Sequence, residues 1–308
     1  MKKQIYLLLY FLVGVNLLVY SQSKAEGDVY RLFFLGGQSN MDGYGYVNEL
    51  PDSLNKTFAD AWIFHGNSAA DGEEGGGEGI WAPLEPGHGV NFTATSTENK
   101  LSDRFGIELS FVHTLQKRYP GDKIALIKYS RGGTSIDSLA ASYFGSWEPD
   151  FRGENGVNQY DHFLATIRNA LKVDDINGDG KKDVLIPNGI LWMQGESDAT
   201  VSEELALRYY GHLKRMMDLV RAALHEDDLP VVIGKISDSW NDEKDGKVWE
   251  YGELIQYAQE KFVREDENAA IVRSTRYYNY SDPWHYECEG YIDLGKQFAE
   301  EFIQLNSK

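Results

Sequence analysis

One serine in this sequence has the surroundings of a nucleophile for acyl transfer. Ser39 lies in the run GGQSNM at positions 36–41, directly after an apolar segment that is typical of a buried strand. Glycines permit a sharp turn, so the Ser39 hydroxyl could project from the strand end while its own N–H faces a developing oxyanion. The alternative is an ordinary turn in which Ser39 only caps a helix.

A serine hydroxyl is a weak nucleophile and needs a base within hydrogen-bonding reach. The chain has seven histidines, and His285 differs from the others because Asp282 precedes it by three residues in the segment DPWH. A carboxylate at that spacing could hold one ring nitrogen and stabilise the imidazolium that forms when Ser39 loses its proton. The same spacing also occurs in surface turns without catalytic function.

Two further segments follow predicted strands and offer hydrogen-bond donors for an oxyanion. The segment SRGGTS at positions 130–135 supplies the N–H of Gly132, with Gly133 as a rival, and the segment QGES at 194–197 supplies the Gln194 amide. The glycines could equally serve tight turns, and Gln194 could simply cover a strand end. The combination with Ser39 and His285 favours an acyl-transfer site.

Short β-branched and aromatic runs alternate with segments of helical period, a pattern that predicts an α/β fold with a parallel sheet of about five strands. Because parallel strands present ligand sites at their carboxyl ends, Ser39, Gly132 and Gln194 should share one sheet edge. The predicted strands span 29–35, 61–64, 123–129, 188–193 and 229–236. The predicted helices span 105–119, 159–172, 202–225, 251–265 and 291–305.

The first residues have the pattern of an export signal. Lys2 and Lys3 precede an apolar run over 5–20, so we expect a signal peptide over 1–21 and a single domain over 22–308. The run also approaches the length of a membrane-spanning helix, which is the alternative. The signal predicts a periplasmic or secreted protein without membrane association after cleavage.

Composition narrows the class of ligand. The 308 residues are 42% hydrophobic, as in a globular domain, and carry a net charge of −18, which disfavours nucleic acid and anionic membranes and favours a neutral substrate. Cys288 is the only cysteine, so no internal disulfide can form, and we interpret it as an inert side chain rather than a catalytic thiol. The sequence does not indicate an oligomeric state.

Taken together, the motifs GQSNM, GGTSI, QGES and DPWH resemble those of the SGNH-type hydrolases, within them the sialate O-acetylesterase and acetylxylan esterase group, carbohydrate esterase family six. The resemblance implies a three-layer α/β/α sandwich of the SGNH or flavodoxin-like kind. It implies a triad of Ser39, His285 and Asp282, and an oxyanion hole from the N–H groups of Ser39 and Gly132 with the Gln194 side chain. Other motif residues are candidates for contacting substrate or supporting the catalytic groups: Gln38, Asn40, Glu108, Arg131, Glu196 and Trp284.

The implied function is removal of acetyl groups from a glycan through an acyl-enzyme on Ser39, with no cofactor required. The alternatives are an SGNH lipase or thioesterase, and a glycan-binding protein without activity. Exposed aromatic side chains would suit a sugar, although the same residues could instead cover the core. The aromatic residues in or beside predicted loops are Tyr44, Trp81, Tyr143, Trp147, Trp240 and Trp284.

An acidic loop over 175–183 places oxygen-bearing side chains at alternate positions around Gly178, as in calcium-binding loops. Position twelve of a complete EF-hand loop is occupied by Ile186 instead of an acidic residue. We therefore expect a structural calcium site in a shorter loop, with a solvated acidic turn as the alternative. The candidate ligands are Asp175, Asn177, Asp179, Lys181 and Asp183.

Overall fold

A computed structural model describes residues 27–153 and 156–307 of the protein. The predicted signal peptide over 1–21 lies outside these described residues and stays a prediction. In the described part of the chain, no helix combines the length and the apolar composition needed to span a membrane.

A seven-stranded sheet forms the centre of the molecule, in the order β11-β10-β9-β1-β8-β3-β4. All neighbouring strands run parallel except β4, which is antiparallel to β3 at one edge. Two short two-stranded sheets, β2 with β7 and β5 with β6, lie outside it. The strands are β1 (Val29–Gly37), β2 (Gly45–Tyr46), β3 (Ala61–His65), β4 (Trp81–Pro83), β5 (Thr93–Ala94), β6 (Asn99–Lys100), β7 (Arg104–Phe105), β8 (Lys123–Ser130), β9 (Val184–Met193), β10 (Val231–Gly234) and β11 (Ala269–Val272).

Across residues 27–153 and 156–307, five long helices and one helical turn accompany the strands. The turn α1 follows β1 directly, and four 3₁₀ segments lie in the connections at Val47–Glu49, Ser138–Ala140, Ser197–Ala199 and Ser274–Tyr277. The helices are α1 (Ser39–Asp42), α2 (Glu108–Arg118), α3 (Gln159–Leu171), α4 (Glu203–Ala223), α5 (Gly252–Glu265) and α6 (Cys288–Leu305).

Helices cover both faces of the sheet, and two consecutive residues of β1 illustrate why. Side chains alternate along a strand, so Phe33 and Phe34 point to opposite faces. The Phe33 ring packs edge-on against Phe111 of α2 and Phe302 of α6, at centroid distances of 5.1 and 5.0 Å. The Phe34 ring packs against Phe163 of α3 at 4.9 Å. The predicted α/β/α layering is confirmed.

All five predicted strands are present, and the prediction of about five is too low by two. Two strands were not predicted: β11, which has only four residues, and the antiparallel β4, which lies within a glycine-rich and glutamate-rich stretch. Strand β9 begins at Val184, earlier than predicted, because it continues through Pro187. Proline cannot donate a ladder hydrogen bond, and the pairing with β1 shifts register at that point.

The acidic loop over 175–183 is closed by its own hydrogen bonds. Asp175 Oδ1 accepts from the Gly178 N–H at 2.7 Å, and its Oδ2 accepts from the Gly180 N–H at 2.8 Å. Asp183 accepts from the N–H groups of Asp28 and Ile176, both at 2.8 Å. Within the described ranges, no three His, Cys, Asp or Glu side chains are grouped as a metal site would require. Calcium binding stays a prediction. A fall in melting temperature when a chelator is added would support it.

Truncating the ring of Phe33 should destabilise the fold strongly, because it would open a cavity between the sheet and two helices. We expect Phe33→Ala to lower the free energy of unfolding by about 3–5 kcal/mol, measured by urea denaturation. Val29 on the same strand is 55% exposed, so Val29→Ala is the matched control and should change stability by about 0.5 kcal/mol or less. Equal losses in the two variants would contradict this packing.

Candidate active site

The carboxyl ends of three adjacent strands meet where the sequence analysis expects the site. Gly37 at the end of β1 pairs with Ser130 at the end of β8 and with Met193 at the end of β9. The segments that follow therefore leave the sheet side by side. They form one wall of a cleft of about 500 Å³, and both Ser39 and His285 line it.

Gly37 allows the chain to turn sharply into Ser39. Its φ is +144°, and a β-carbon at this position would lie 2.0 Å from the Met193 carbonyl oxygen. Any other residue would force β1 away from β9. Ser39 then begins the helical turn α1, whose N–H groups at Met41 and Asp42 bond to the Gln38 carbonyl at 2.8 and 2.9 Å.

Asp282 holds the imidazole of His285 by its edge. Its Oδ2 lies 2.7 Å from His285 Nδ1, and its Oδ1 accepts from the backbone N–H groups of Trp284 and His285 at 2.7 and 2.8 Å. Partial burial acts to raise the pKa of the Asp282 carboxyl, but these hydrogen bonds outweigh it and the pKa lies below its ordinary value. The carboxylate therefore stays ionised at neutral pH, and because it contacts Nδ1, Nε2 is the ring nitrogen that Asp282 does not hold.

Tyr44 covers a face of the same imidazole. The two rings are nearly parallel, at an interplanar angle of 6°, and their centroids are 3.5 Å apart. Trp284 lies edge-on to His285, with a centroid distance of 6.4 Å, and is half exposed at the cleft. The His285 imidazole is thus held by one carboxylate and two aromatic neighbours.

Of the two candidate glycines after β8, Gly132 is the one beside Ser39. A β-carbon on Gly132 would lie 3.2 Å from the Ser39 β-carbon, whereas one on Gly133 would collide with the Phe144 ring at 2.3 Å. Both glycines line the cleft. This packing places Gly132, and not Gly133, beside Ser39.

Gln194 is placed differently from the expectation that its amide faces an oxyanion. The residue is fully buried and is not among those that line the cleft. Its Nε2 donates to the Thr134 carbonyl at 3.1 Å and to Asp198 Oδ2 at 2.6 Å, and its Oε1 accepts from the Tyr209 hydroxyl. Both amide hydrogens are therefore engaged inside the protein, so this arrangement offers no Gln194 donor to the cleft. Gln194 instead ties the segment after β9 to the segment after β8.

Asn40 connects the turn that carries Ser39 to the loop that carries His285. Its buried Nδ2 donates to Glu196 Oε1 at 2.9 Å and to the Trp284 carbonyl at 3.2 Å, and its Oδ1 accepts from the Tyr291 hydroxyl at 2.8 Å. Burial raises the pKa of the Glu196 carboxyl, although the hydrogen bond from Asn40 acts to lower it. These contacts make Asn40 and Glu196 supporting residues behind the cleft.

Gln38 and Glu108 also have supporting positions. Gln38 Oε1 accepts from the Gly195 N–H at 3.2 Å, which joins the turn after β1 to the turn after β9. Glu108 is fully buried and pairs with Lys128 at 3.0 Å. Lys128 Nζ in turn donates to the Asp42 carbonyl at 2.8 Å, at the end of α1. Glu108 thus supports the turn that carries Ser39 through Lys128 and does not line the cleft.

Residues from the loops complete the cleft, and sequence analysis proposed only some of them. Arg131 and Trp284 line it as expected, whereas Trp81 and Trp147 belong to the core and cannot bind a sugar. Asp42 was missed, although a position three residues after Ser39 in a helical turn lies on the same face. The other lining residues that were not proposed are Val90, Ala140, Ser142, Phe144, Ser197, Thr200 and Trp249.

Cys288 does not compete as a nucleophile. It is buried, and burial raises the pKa of its thiol to about 12, so almost no thiolate is present at neutral pH. It lies outside the cleft, at the start of α6.

Comparison with known protein families matches residues 29–304 to a family described as "Carbohydrate esterase, sialic acid-specific acetylesterase". No curated protein sequence matches the chain.

Solved structures of similar fold include a protein from Arabidopsis thaliana, with 18% identity and a TM-score of 0.61 over 89% of this chain and 98% of that one. A carbohydrate acetylesterase from Xanthomonas citri has 17% identity and a TM-score of 0.58 over 87% of this chain and 54% of that one, so this chain spans about half of it. NanS has 18% identity and a TM-score of 0.56 over 92% of this chain and 99% of that one. At these identities the likeness establishes the shared fold.

Replacing the Asp282 carboxylate by an amide should leave the loop folded and impair the base. In Asp282→Asn the amide oxygen can still accept from the backbone N–H groups of Trp284 and His285. The amide nitrogen then faces His285 Nδ1, and because it is a donor it cannot accept a hydrogen bond from the Nδ1–H. We expect kcat for p-nitrophenyl acetate to fall about 10³–10⁴-fold with little change in melting temperature. The matched control is Asp183→Asn, which lies just before the amino end of β9 and therefore at the other end of the strands from the cleft. This variant should keep kcat. Full activity in Asp282→Asn would contradict the assigned role.

Proposed function

We propose that this chain, which belongs to the carbohydrate esterase family of sialic acid-specific acetylesterases, removes acetyl groups from carbohydrate hydroxyls through an acyl-enzyme on Ser39. The family match confirms the resemblance read from the motifs and makes the chain a hydrolase of carboxylic esters. The observation that carries the serine mechanism is the placement of Ser39 and the Asp282-paired His285 in one cleft.

In the proposed first step, Ser39 Oγ attacks the acetyl carbonyl carbon while His285 Nε2 takes the hydroxyl proton. The tetrahedral intermediate collapses, the ester bond to the sugar oxygen breaks, and the imidazolium returns the proton to that oxygen. Water then attacks the acetyl-enzyme with His285 again as base, which releases acetate and restores the Ser39 hydroxyl. The balance of atoms requires no cofactor.

The developing negative charge needs donors that are fixed before the reaction. The N–H groups of Ser39 and Gly132 are our candidates, because Gly132 packs against Ser39 and both line the cleft. We assign Gln194 the role of fixing the neighbouring turns, since its amide hydrogens are engaged by Thr134 and Asp198.

Two other functions remain as competitors. An SGNH lipase or thioesterase would use the same triad but would need room for a long acyl chain. A glycan-binding protein without activity would need no hydroxyl at position 39. We propose export to the periplasm or out of the cell on the N-terminal sequence pattern, and an acetylated carbohydrate as the substrate.

Removing the Ser39 hydroxyl should abolish turnover while leaving the fold intact. We expect Ser39→Ala to lose at least about 10³-fold in kcat on p-nitrophenyl acetate and on acetylated xylan or O-acetyl sialic acid. A series of p-nitrophenyl esters should show the highest kcat/KM for acetyl. A preference for long chains would favour the lipase, and hydrolysis unaffected by Ser39→Ala would contradict the serine mechanism.

Arg131 should distinguish acidic from neutral sugars. It is the one Lys or Arg among the described residues that line the cleft, and its guanidinium lies 5.7 Å from the Phe144 ring centroid. Because sialic acid carries a carboxylate and xylan does not, Arg131→Met should raise KM for O-acetyl sialic acid about tenfold and change KM for acetylated xylan much less. The control is Arg168→Met on the exposed side of α3. Equal changes for the two sugars would contradict charge recognition by Arg131.

A further inference from the structure

We propose that Tyr44 is a positioning residue for the base: its ring fixes the plane of the His285 imidazole and stabilises the imidazolium that forms during acyl transfer. The proposal rests on the serine mechanism above and concerns a residue that the sequence motifs do not identify.

Asp282 and Tyr44 restrain the imidazole in complementary ways. The Asp282 carboxylate holds one edge through Nδ1 at 2.7 Å, which still allows the ring to rotate about that contact. Tyr44 lies flat on the ring at a centroid distance of 3.5 Å and an angle of 6°, which blocks that rotation. Together they direct Nε2 to a single position. The Tyr44 face that touches His285 is not available to stack on a sugar.

The backbone around Tyr44 is itself fixed, so the ring is a rigid support. The Tyr44 carbonyl accepts from Arg104 at 2.6 Å. Gly43 has a φ of +95° and packs so closely on Gly106 that a β-carbon on Gly43 would lie 2.2 Å from the Gly106 Cα. Gly45 pairs with Phe105 in the small β2–β7 sheet. The same short turn thus carries the nucleophile and the support for the base.

The stacking also favours the charged form of the base. The face of an aromatic ring is electron-rich and attracts a cation more strongly than a neutral group, so the contact strengthens as His285 takes the Ser39 proton. Burial raises the pKa of the Tyr44 hydroxyl to about 12, which keeps the phenol neutral under working conditions. The titratable and charged groups around Tyr44 are Asp282 on the histidine loop, Asp42 two residues before Tyr44, Arg131 after β8 and Arg104 on β7.

The test compares Tyr44→Phe, which keeps the aromatic face, with Tyr44→Leu, which keeps apolar cover without it. We expect Tyr44→Leu to lose roughly 3- to 30-fold in kcat on p-nitrophenyl acetate with little change in KM. The acidic limb of its kcat/KM profile should move to lower pH, because a less stabilised imidazolium forms only at lower pH. Tyr44→Phe should retain both kcat and the pH profile.

A second readout does not depend on turnover. This readout is the midpoint of the His285 ring titration, followed by NMR in a Ser39→Ala background. The midpoint should move to lower pH in Tyr44→Leu and stay unchanged in Tyr44→Phe. If the protein hydrolyses no acetyl ester but this shift is found, the proposed function fails and the role of Tyr44 stands.

Three results would overturn the proposal. They are an unchanged kcat and pH profile in a folded Tyr44→Leu variant, a loss confined to KM for acetylated sugar, and an equal loss in Tyr44→Phe. Melting temperature reports whether each variant is folded, and Tyr44→Met replaces the leucine variant if that one is not.

Discussion

The site depends on one buried amide that joins segments from opposite ends of the chain. Asn40 follows Ser39 directly, and its side chain bonds to Glu196, to the Trp284 carbonyl next to His285, and to the Tyr291 hydroxyl on α6. Each such bond contributes only about 0.5–1.5 kcal/mol net, but leaving a buried partner unpaired costs about 1–3 kcal/mol. The fold therefore favours the one arrangement in which all of them form, and that arrangement places Ser39 and His285 in the same cleft.

A buried ion pair supports the other end of the turn that carries Ser39. Lys128 and Glu108 are both inaccessible to solvent and lie 3.0 Å apart. Burying two charges costs free energy that their attraction offsets only when further polar partners are present. Here Lys128 Nζ also donates to the carbonyls of Asp42 and His88, and Glu108 Oε1 accepts from the Gly106 N–H. The ammonium group thus fixes the carbonyl at the end of α1, while Asn40 fixes its beginning.

The sheet was the most predictable part of the protein, because a strand that is buried on both faces of a parallel sheet is a continuous apolar run, which the local sequence alone reveals. The apolar run of β11 is only four residues long and the edge strand β4 has no such run, so both become recognisable only through their pairing with β10 and β3. The convergence of Ser39, Gly132 and the segment after β9 followed from the rule that parallel strands end at one edge. The engagement of Gln194 by Asp198, Thr134 and Tyr209 did not follow, since it depends on tertiary packing. The stacking of Tyr44 on His285 was hidden for the same reason.

The central claim is that the acetyl group passes through the Ser39 hydroxyl, and trapping that intermediate tests it most directly. Rapid acid quenching of the enzyme during turnover of p-nitrophenyl acetate, followed by digestion and peptide mass spectrometry, should find one acetyl group on the peptide that contains Ser39. Quenched samples of Ser39→Ala should contain none. Acetylation of another residue at the rate of turnover, with Ser39 unmodified, would contradict the account.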